Sequence, residues 1–369
     1  MQKSKIKNQK YGGSVRVFLT GGGTGGSVSP LLAVKEELEK RGHKINYFWI
    51  GGREGVEKEM VEALNKEEKQ IQYIPILAGK WRRYFSLKNF FDLFKIFIGF
   101  FKSLFLILRY RPKLVMSAGS FVSVPVVWAA WLFRRPVLIH QQDVRPGLAN
   151  KLMAPFARVI TTAFEKSQED YGKKAKCVGN PIRMNLDSSK KEAYFQIKKE
   201  FPVVLIVGGG TGAQFLNDLV ENNLAELTKL AQVIHVTGKG KASREIHEHY
   251  SAFEFLSHNL MLEALGKADL VISRSGLGFL TELSYFGSPA ILIPMPDSHQ
   301  EDNARVFAEK KAALVLKQKE ISSEKFLSSV EEVLKDKDLR NKLSERIKRV
   351  IKIGNTEIAE IIEKELGIR

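Results

Sequence analysis

Residues 15–34 read VRVFLTGGGTGGSVSPLLAV, in which an apolar run ends at Thr20, a glycine-rich turn follows, and a helix-forming pattern begins after Ser27. This order predicts a strand, a tight turn and a helix. Glycines let such a turn adopt positive φ and approach a ligand closely, while the helix points its free N–H groups and positive end into the turn. The stretch therefore predicts an anion-binding turn, with phosphate as the expected guest.

The same glycines also fit the dinucleotide-binding fingerprint, because Gly21, Gly23 and Gly26 satisfy G-x-G-x-x-G. An NAD site would need an acidic residue after the second strand, but that strand leads into Gly52 and Arg53. The alternative is a tight turn with no ligand. Five of the six residues from 21 to 26 are glycine, which is more than a turn requires and favours a phosphate site.

A second copy of this pattern, FPVVLIVGGGTGAQFLNDLV, spans residues 201–220. Other apolar strand patterns alternate with helical patterns along the chain, which predicts parallel sheets joined by crossover helices. The expected fold class is α/β, with two Rossmann-like, doubly wound parallel-sheet domains that face a cleft. Ligands bind at the carboxyl ends of the strands in such sheets. Glycosyltransferases of the GT-B type and a few epimerases share this architecture.

Composition narrows the class of protein further. The chain has 369 residues, enough for two domains, and its single cysteine, Cys177, excludes an internal disulfide. The seven histidines show no metal-ligand spacing, so neither a metal nor a cofactor is expected. A net charge of +17 suits a polyanionic partner. Because no nucleic-acid-binding module is recognisable, we expect an anionic membrane surface and no nucleic acid.

The sequence predicts neither a targeting segment nor a membrane-spanning segment. Its start, MQKSKIKNQKYGGS, is basic and lacks an apolar core, which predicts a disordered lead-in over residues 1–13 and no signal peptide. No uncharged apolar stretch reaches the ~18 residues that a transmembrane helix needs. We therefore expect a protein that is kept in the cytoplasm.

Six motifs resemble the MurG family in their order and spacing, over residues 14–365. They are GGTGGSVSPLLAV (22–34), IHQQDVRPGLANKL (139–152), VGNPIR (178–183), VGGGTGA (207–213), SRSGLGFLTELSYFGSPAILIPMP (273–296) and HQEDNA (299–304). The resemblance implies a GT-B fold and an inverting transfer of N-acetylglucosamine from UDP-N-acetylglucosamine to undecaprenyl-diphosphate-linked N-acetylmuramyl pentapeptide, which converts lipid I to lipid II in peptidoglycan synthesis. It also implies a peripheral location on the cytoplasmic face of the cell membrane.

The resemblance places the donor site mainly on the second domain. Arg183 and the turn at Gly210 would meet the diphosphate, Glu282 the ribose hydroxyls, Leu256 the uracil through its backbone, and Gln300 the sugar. The remaining residues expected to bind UDP-N-acetylglucosamine are Thr24, Gly25, Gly26, Asp143, Arg274, Gly276, Leu277, Gly278, Phe279, Leu280 and Thr281. For each arginine alone, the competing interpretation is a solvated surface side chain.

Three positions depart from the family pattern. The first turn ends in Ser27 where the family has histidine, Asp143 replaces an asparagine, and Gly210 stands where serine is frequent. Serine cannot act as a base near neutral pH, yet the attacking acceptor hydroxyl must lose its proton. We expect Asp143 to accept that proton or to orient the group that accepts it, with Ser27 and His140 in supporting roles. Alternatively, Asp143 caps the following helix or binds a sugar hydroxyl.

Residues 80–113 form a basic, aromatic segment. Lys88, Lys95, Lys102 and Arg109 recur every seven residues and predict a basic helical stripe opposite five phenylalanines, Phe90, Phe94, Phe97, Phe101 and Phe105. One interpretation is a membrane-surface helix and the other is a core helix with snorkelling lysines. We expect both, with the inner part as core. The membrane-facing rim would comprise Trp81, Arg82, Arg83, Phe85, Lys88, Phe90 and Phe91.

These expectations define the domains and leave alternatives open. Residues 14–178 would form the acceptor and membrane-associating domain and residues 179–348 the UDP-sugar-binding domain, while a C-terminal helix, 349–366, packs back on the first domain. The alternatives to the transferase are a UDP-sugar epimerase of the same fold and a non-catalytic UDP-sugar-binding, membrane-associated protein.

Overall fold

The fold consists of two parallel sheets covered by helices on both faces, which confirms the predicted class. The computed structural model describes residues 15–68, 71–79, 87–183, 194–195, 197–198, 200–209, 212–241, 243, 245 and 247–368, without the side chains of 66–68 and 87–93. The predicted lead-in, residues 1–13, lies outside these ranges.

The first sheet has seven parallel strands in the order β3-β2-β1-β4-β5-β6-β7. The strands are β1 (Val15–Thr20), β2 (Ile45–Gly51), β3 (Ile71–Pro75), β4 (Leu114–Ser117), β5 (Val137–Gln141), β6 (Val159–Thr162) and β7 (Ala175–Cys177). Its helices are α1 (Ser29–Lys40), α2 (Val56–Glu68), α3 (Leu87–Tyr110), α4 (Ser123–Leu132) and α5 (Leu148–Met153). The central strands β4 and β5 are buried on both faces, which explains their continuous apolar sequence.

The second sheet has six parallel strands in the order β10-β9-β8-β11-β12-β13. They are β8 (Val203–Val207), β9 (Gln232–Val236), β10 (Tyr250–Phe253), β11 (Leu270–Ser273), β12 (Ala290–Leu292) and β13 (Leu314–Val315). The accompanying helices are α6 (Gln214–Glu221), α7 (Leu224–Leu230), α8 (His258–Lys267), α9 (Leu277–Phe286), α10 (His299–Glu309), α11 (Ser323–Lys335) and α12 (Lys337–Ile347). The strands that precede the two glycine turns, β1 and β8, each lie near the centre of their own sheet.

The chain crosses between the two sheets twice, at adjacent points. Asn180 in the first crossing donates its backbone N–H to Lys352 O at 2.8 Å, and Gly354 in the second donates to Asn180 O at 3.1 Å. After the second crossing, helix α13 (Asn355–Leu366) packs on α1 of the first sheet and buries Ile358 and Ile362 in the same core as Leu31 and Val34. The first sheet is therefore completed by the last helix of the chain.

Helix α3 exposes an apolar face. Its inner side buries Leu106 and Ile107, but four phenylalanines on its outer side are between 53% and 67% exposed: Phe94, Phe97, Phe101 and Phe105. The expectation that the inner part of this segment is core is therefore wrong for these side chains, because residues spaced three or four apart share the helix face that points away from the sheet.

The predicted membrane-facing rim lies outside the described residues. This holds for Trp81, Arg82, Arg83 and Phe85 and for the side chains of Lys88, Phe90 and Phe91. Among the described residues, no helix is both long enough and apolar enough to cross a bilayer.

Candidate active site

The first glycine turn holds a carboxylate that belongs to the protein. Glu57, in the first turn of α2, is buried and accepts hydrogen bonds from Gly23 N (3.0 Å to Oε2) and Gly52 N (3.1 Å to Oε1). A Cβ atom on Gly22 would lie 2.5 Å from this carboxyl group, and one on Gly55 would lie 2.6 Å from it. The sequence predicted a phosphate guest for this turn, but Glu57 takes the anion position. The sequence does contain a signal for Glu57, because this glutamate stands at a helix start and ends the glycine-rich stretch 51–57.

Ser27 closes the same turn from the inside. Its buried hydroxyl lies 2.9 Å from Gly22 O and 3.2 Å from Thr24 O. Thr24 is exposed, whereas Gly25 and Gly26 are half-buried and lie in a short 3-10 turn, Gly25–Ser27, that approaches α9 of the second domain. The hydroxyl of Ser27 is thus engaged in shaping the turn, and the turn itself faces the other domain.

His140 lies in the core and connects the two domains. It is fully buried on β5, with Nδ1 3.0 Å from Thr161 Oγ1 and Nε2 2.7 Å from Asn180 Oδ1. Asn180 Nδ2 in turn donates to Thr281 Oγ1 on α9 at 2.7 Å. Because the amide nitrogen serves Thr281, the amide oxygen faces the ring and His140 donates from Nε2. Burial lowers the pKa of His140 to about 4, against the opposing effect of its hydrogen bond to Asn180, so the ring is neutral near pH 7.

Asp143 lies at the boundary between the domains. Its Oδ1 accepts from Asn303 Nδ2 of α10 at 2.9 Å, and the same amide donates to Ser275 O at 3.1 Å. The backbone N–H of Val144 donates to Asn303 Oδ1 at 3.1 Å. The other oxygen of Asp143, Oδ2, has no hydrogen-bond partner within the described part of the chain. Asn303, which the sequence motif HQEDNA contained, was not among the predicted site residues.

A cavity of about 590 Å³ adjoins Asp143 and is lined by both domains. The first domain contributes the loop and helix start after β5, and the second contributes the loop between β12 and α10, including His299. Arg145 of the first loop forms an ion pair with Asp302 of α10 at 2.6 Å, which holds the two walls together. The cavity therefore lies between the two domains, and Asp143 is part of its lining.

The start of α9 leaves space for a ligand at its backbone. Gly276 is the N-cap and Gly278 lies in the first turn, and a Cβ atom on either would contact nothing within 4 Å. Neither glycine has positive φ, so the fold does not require glycine at these positions. The neighbouring side chains of Leu277, Leu280 and Thr281 are buried, and Phe279 is half-buried against the core. The backbone of this turn is thus open to a ligand, beside the partly exposed ring of Phe279.

Glu282 follows one turn later on α9. Its half-buried carboxyl group has no hydrogen-bond partner among the described residues, and burial raises its pKa to about 7. An unpaired, poorly solvated carboxylate is a strong acceptor for hydroxyl groups that enter its site.

The two predicted arginines are already paired. Arg183 Nε donates to Glu36 Oε1 of α1 at 2.7 Å, across the domain boundary. Arg274 Nη1 lies 2.9 Å from Ile293 O and 3.2 Å from Pro294 O, and its guanidinium packs over the ring of Phe215 at 5.8 Å. The structure therefore engages both side chains within the protein.

The remaining predicted residues surround the same strand ends. The backbone of Leu256 follows Phe255, an aromatic side chain that is 71% exposed and that the sequence did not single out. Gln300 Oε1 accepts from Ser275 N at 3.3 Å and from Met295 N at 3.1 Å. In the second glycine turn, Gly209 has φ +94° with open space beside it, while Gly210 lies outside the described residues. The described residues contain no cluster of three or more His, Cys, Asp or Glu side chains that could hold a metal ion.

Similar proteins identify the family. Residues 17–162 match the N-terminal domain of glycosyltransferase family 28, and residues 203–360 match its C-terminal domain. A protein of Clostridium kluyveri named UDP-N-acetylglucosamine--N-acetylmuramyl-(pentapeptide) pyrophosphoryl-undecaprenol N-acetylglucosamine transferase is 36% identical over 361 residues, which is 95% of this chain and 99% of that protein. A protein of the same name from Legionella pneumophila is 35% identical and covers 96% of this chain and 98% of its own length. The chain belongs to the MurG family.

Solved structures share the fold. The crystal structure of Acinetobacter baumannii MurG has a TM-score of 0.71 at 24% identity and covers 95% of this chain and 99% of that one. A UDP-N-acetylglucosamine 2-epimerase reaches a TM-score of 0.70 at 13% identity and covers 96% of this chain and 98% of that one. At this level of identity both comparisons report architecture alone, so the fold itself does not separate a MurG protein from an epimerase.

Proposed function

We infer that the protein transfers N-acetylglucosamine from UDP-N-acetylglucosamine to undecaprenyl-diphosphate-linked N-acetylmuramyl pentapeptide, converting lipid I to lipid II in peptidoglycan synthesis. The observation that carries this function is the near-full-length identity of 35–36% to transferases that bear that name, across both domains. The chain is thus a hexosyltransferase. Inversion at the anomeric carbon is expected from the resemblance to the family.

For the donor, we propose that the diphosphate of UDP binds at the start of α9. The open space at Gly276 and Gly278 supports this, because a helix N-terminus presents free N–H groups to a phosphate. Glu282, one turn away and without a hydrogen-bond partner among the described residues, would accept from the ribose hydroxyls. Uracil would lie against the backbone of Leu256, beside the exposed ring of Phe255, and Gln300 would orient the sugar.

The roles of the arginines follow from their present partners. Arg183 and Arg274 would support the diphosphate site by fixing the segments around it. Arg183 does so through its bond to Glu36, and Arg274 through its bonds to the backbone carbonyls after β12. The bond to Glu36 uses only Nε of Arg183, so the N–H groups of Nη1 and Nη2 would contact the phosphate while that bond persists. The first-domain turn, Thr24 to Gly26, would face the bound donor from across the cleft.

For proton transfer, we propose Asp143 as the acceptor. The C4 hydroxyl of the muramyl sugar attacks the anomeric carbon as the bond from that carbon to the UDP oxygen breaks, and UDP leaves with the bonding electrons. The hydroxyl proton passes to Asp143 Oδ2, the carboxylate oxygen without a partner among the described residues. Asn303 holds Oδ1 and so fixes the carboxylate, while Ser27 and His140 support the surrounding turn and strand without touching substrate.

We propose that the protein binds the cytoplasmic face of the cell membrane through the outer face of α3. Four exposed phenylalanines alternate along this helix with the exposed cations Lys95, Lys102 and Arg109, which is the pattern of a membrane-surface helix. Replacing Phe101 and Phe105 by serine should weaken binding to anionic vesicles by tenfold or more, since each buried ring contributes about 1.5–3 kcal/mol. Tyr194→Ser, an exposed aromatic of the second domain, serves as the control. Equal binding by both variants would contradict this surface.

For the domain organisation, we propose boundaries at residues 14–178 and 179–348, with the C-terminal helix assigned to the first domain. The two chain crossings near Asn180 and Lys352 and the packing of α13 on α1 support this division.

One assay tests the function against its alternatives. The protein is incubated with UDP-N-acetylglucosamine, with and without lipid I, and UDP, lipid II and the 2-epimer of the donor are measured separately. The transferase releases UDP and forms lipid II only when lipid I is present. Formation of the epimer without an acceptor would indicate an epimerase, and donor binding without either product would indicate a non-catalytic protein.

A further inference from the structure

The first glycine turn contains a buried carboxylate that the proposed reaction does not use. Glu57 of α2 is 3% exposed, and its two oxygens accept from Gly23 N at 3.0 Å and from Gly52 N at 3.1 Å. Within the described part of the chain, no cation forms an ion pair with it. A buried carboxylate without a cation lowers stability unless N–H groups and a helix N-terminus offset the lost hydration. Glu57 therefore occupies a position that the fold has built for an anion.

Two glycines next to Glu57 are explained by its carboxyl group. Neither Gly22 nor Gly52 has a positive φ, so the backbone alone does not require glycine at either position. A Cβ atom on Gly22 would lie 2.5 Å from a carboxyl oxygen of Glu57, and one on Gly52 would lie 2.9 Å from it. A side chain at either position would therefore displace this carboxyl group.

The inner half of the turn, residues 21–23, is bonded to the protein itself. Trp49 Nε1 of β2 donates to Gly21 O at 3.2 Å, and the N–H of Gly23 donates to Glu57. A phosphate guest in the inner half would have to replace Glu57 at this N–H group. The two bonds tie the turn after β1 to β2 and to α2, so the shape of the turn depends on these neighbouring elements.

The outer half of the turn faces the second domain. Gly25 and Gly26 do not have positive φ, and a Cβ atom on them would make ordinary contacts of 3.6 Å with Met60 and 3.5 Å with Thr24. The fold therefore does not require glycine at these two positions. The short 3-10 turn that contains them approaches α9, where we propose that the donor diphosphate binds. A substrate that comes close to the backbone would account for both glycines.

We propose that Glu57 is a positioning residue of the transferase. Its carboxylate takes the place of an anion in the inner half of the turn and holds residues 24–26 where they meet the bound substrates across the cleft from α9. No phosphate of a substrate then enters the inner half. The role in the reaction rests on the proposed transferase function, whereas the hold of the carboxylate on the turn does not.

Glu57→Gln tests the charge at nearly constant volume. The amide can accept from one of the two N–H groups, but it turns its own NH₂ group towards the other. At saturating substrates the rate of lipid II formation should fall by about 10²-fold, which is the effect of misplacing a group at the reacting centre by about 1 Å. UDP affinity should stay within about threefold, because the groups proposed to bind UDP lie mainly on the second domain.

Glu59→Gln is the matched control, because it removes the same charge from the same turn of α2. Glu59 pairs with Lys239 at 3.7 Å, and both side chains are exposed, so this pair contributes little. The rate of lipid II formation in this variant should stay within about twofold of that of the unchanged protein.

Glu57→Ala tests the anion position by chemical rescue. Alanine keeps Cβ, and acetate supplies the missing carbon and carboxylate. Acetate should recover about tenfold of the lost rate, since a free anion fills the site less completely than a tethered one, and neutral acetamide should recover none. Amide hydrogen exchange of residues 20–28 should be faster in Glu57→Ala and should slow again in acetate, because the bond from Gly23 N is lost and restored.

Two results would overturn the proposal. A normal rate in Glu57→Gln, or equal recovery of Glu57→Ala with acetate and with acetamide, would show that the side chain only fills space. If the unchanged protein forms no lipid II, the transferase function itself fails, and the exchange of residues 20–28 still decides about the turn. Unchanged exchange in Glu57→Gln would then show that the carboxylate does not hold it.

Discussion

The carboxyl group of Glu282 combines a cost in stability with a proposed role in binding. Burial raises its pKa from 4.5 to about 7, so the folded state holds a proton that the unfolded chain releases between these values. The stability that this tighter proton binding gives the folded state is fully present below pH 4.5 and is lost as the pH rises through 7. Above pH 7 the free protein therefore carries an unfavourable, poorly solvated charge at Glu282.

Glu282→Gln should remove this cost and weaken donor binding at the same time. We compare the free energy of unfolding of the variant with that of the unchanged protein. This difference should move in favour of the variant by about 3 kcal/mol between a pH below 4.5 and a pH above 7, which is the energy equivalent of the shift in pKa. UDP affinity above pH 7 should fall by roughly tenfold or more, since hydrogen bonds to a charged group contribute about 1.5–3 kcal/mol. Denaturant titrations at both pH values and calorimetry with UDP measure the two effects. Unchanged UDP affinity would remove Glu282 from the donor site.

Asp143→Asn tests the proposed proton acceptor. The amide keeps the shape of the carboxylate and the hydrogen bond from Asn303 to Oδ1, but it cannot take a proton. At saturating donor, turnover should fall by about 10²-fold or more, which is the usual effect of losing a general base. UDP affinity should remain unchanged. Ser27→Ala is the control, because its hydroxyl bonds to Gly22 O and Thr24 O within the turn, and its turnover should fall far less. Near-normal turnover in Asp143→Asn would contradict the assignment.

The residue scale also shows what the sequence could predict about the site. Asp143 was predicted because it departs from a family pattern, and the structure brings it to the domain boundary. Glu57 was missed, because an internal carboxylate and a bound phosphate satisfy a glycine turn by the same hydrogen bonds. The pairing of Arg183 with Glu36 was missed as well, since a contact between residues so far apart in sequence leaves no local signal.

At the scale of single elements, we propose that helix α9 binds the donor diphosphate through backbone N–H groups and not through side chains. Its first turn buries Leu277, Leu280 and Thr281, while Gly276 and Gly278 leave the approach to the N–H groups open. The packing of the helix does not require these two glycines, which supports the diphosphate site proposed there.

Gly278→Ala should separate folding from binding. Alanine suits a helix better than glycine by up to about 1 kcal/mol, so the melting temperature should stay the same or rise. The added methyl group would occupy the space proposed for the diphosphate, and KM for UDP-N-acetylglucosamine should rise about tenfold as a charge-assisted hydrogen bond is lost. Gly266→Ala in α8 is a matched control, because its Cβ would make only an ordinary contact with Phe286 at 3.9 Å. An unchanged KM in Gly278→Ala would place the diphosphate elsewhere.

The elements themselves were predictable to different degrees. Strands β1 and β8 and the helices after them follow from an apolar run, a glycine turn and a periodic pattern, all of which are local. The orientation of α3 was not predictable, because the helix is apolar around much of its circumference and hydrophobicity alone does not say which side meets the sheet. Packing against α4 decides it.

At the scale of the whole molecule, one buried chain of side chains joins the two domains. It runs from Thr161 and His140 in the first domain through Asn180 in the crossing segment to Thr281 at the start of α9. Because α9 carries the proposed donor site, the position of that site relative to the first domain depends on this hydrogen-bonded chain. We therefore propose His140 as a positioning residue, and Asn180 connects it to the second domain by hydrogen bonds.

Asn180→Ala should loosen the two domains from each other. It leaves the ring N–H of His140 buried without an acceptor, at a cost of about 1–3 kcal/mol, and a single calorimetric unfolding transition should broaden or split in two. The matched control is Asn217→Ala, which removes a buried asparagine that bonds to His235 and Thr237 within the second domain. That variant should lose stability while its domains remain coupled. Identical unfolding profiles for the two variants would argue against a special role for Asn180.

The return of α13 to the first sheet also sets an order of events during synthesis. The strip of α1 formed by Leu31, Val34 and Leu38 is translated near the start, but the helix that covers it emerges from the ribosome after the entire second domain. Domains usually fold as units in the order in which they are made. Here the second domain can close while the first still shows an apolar groove to the solvent. A ribosome that stalls before residue 355 would therefore leave a chain with one finished domain and one open to chaperones and proteases.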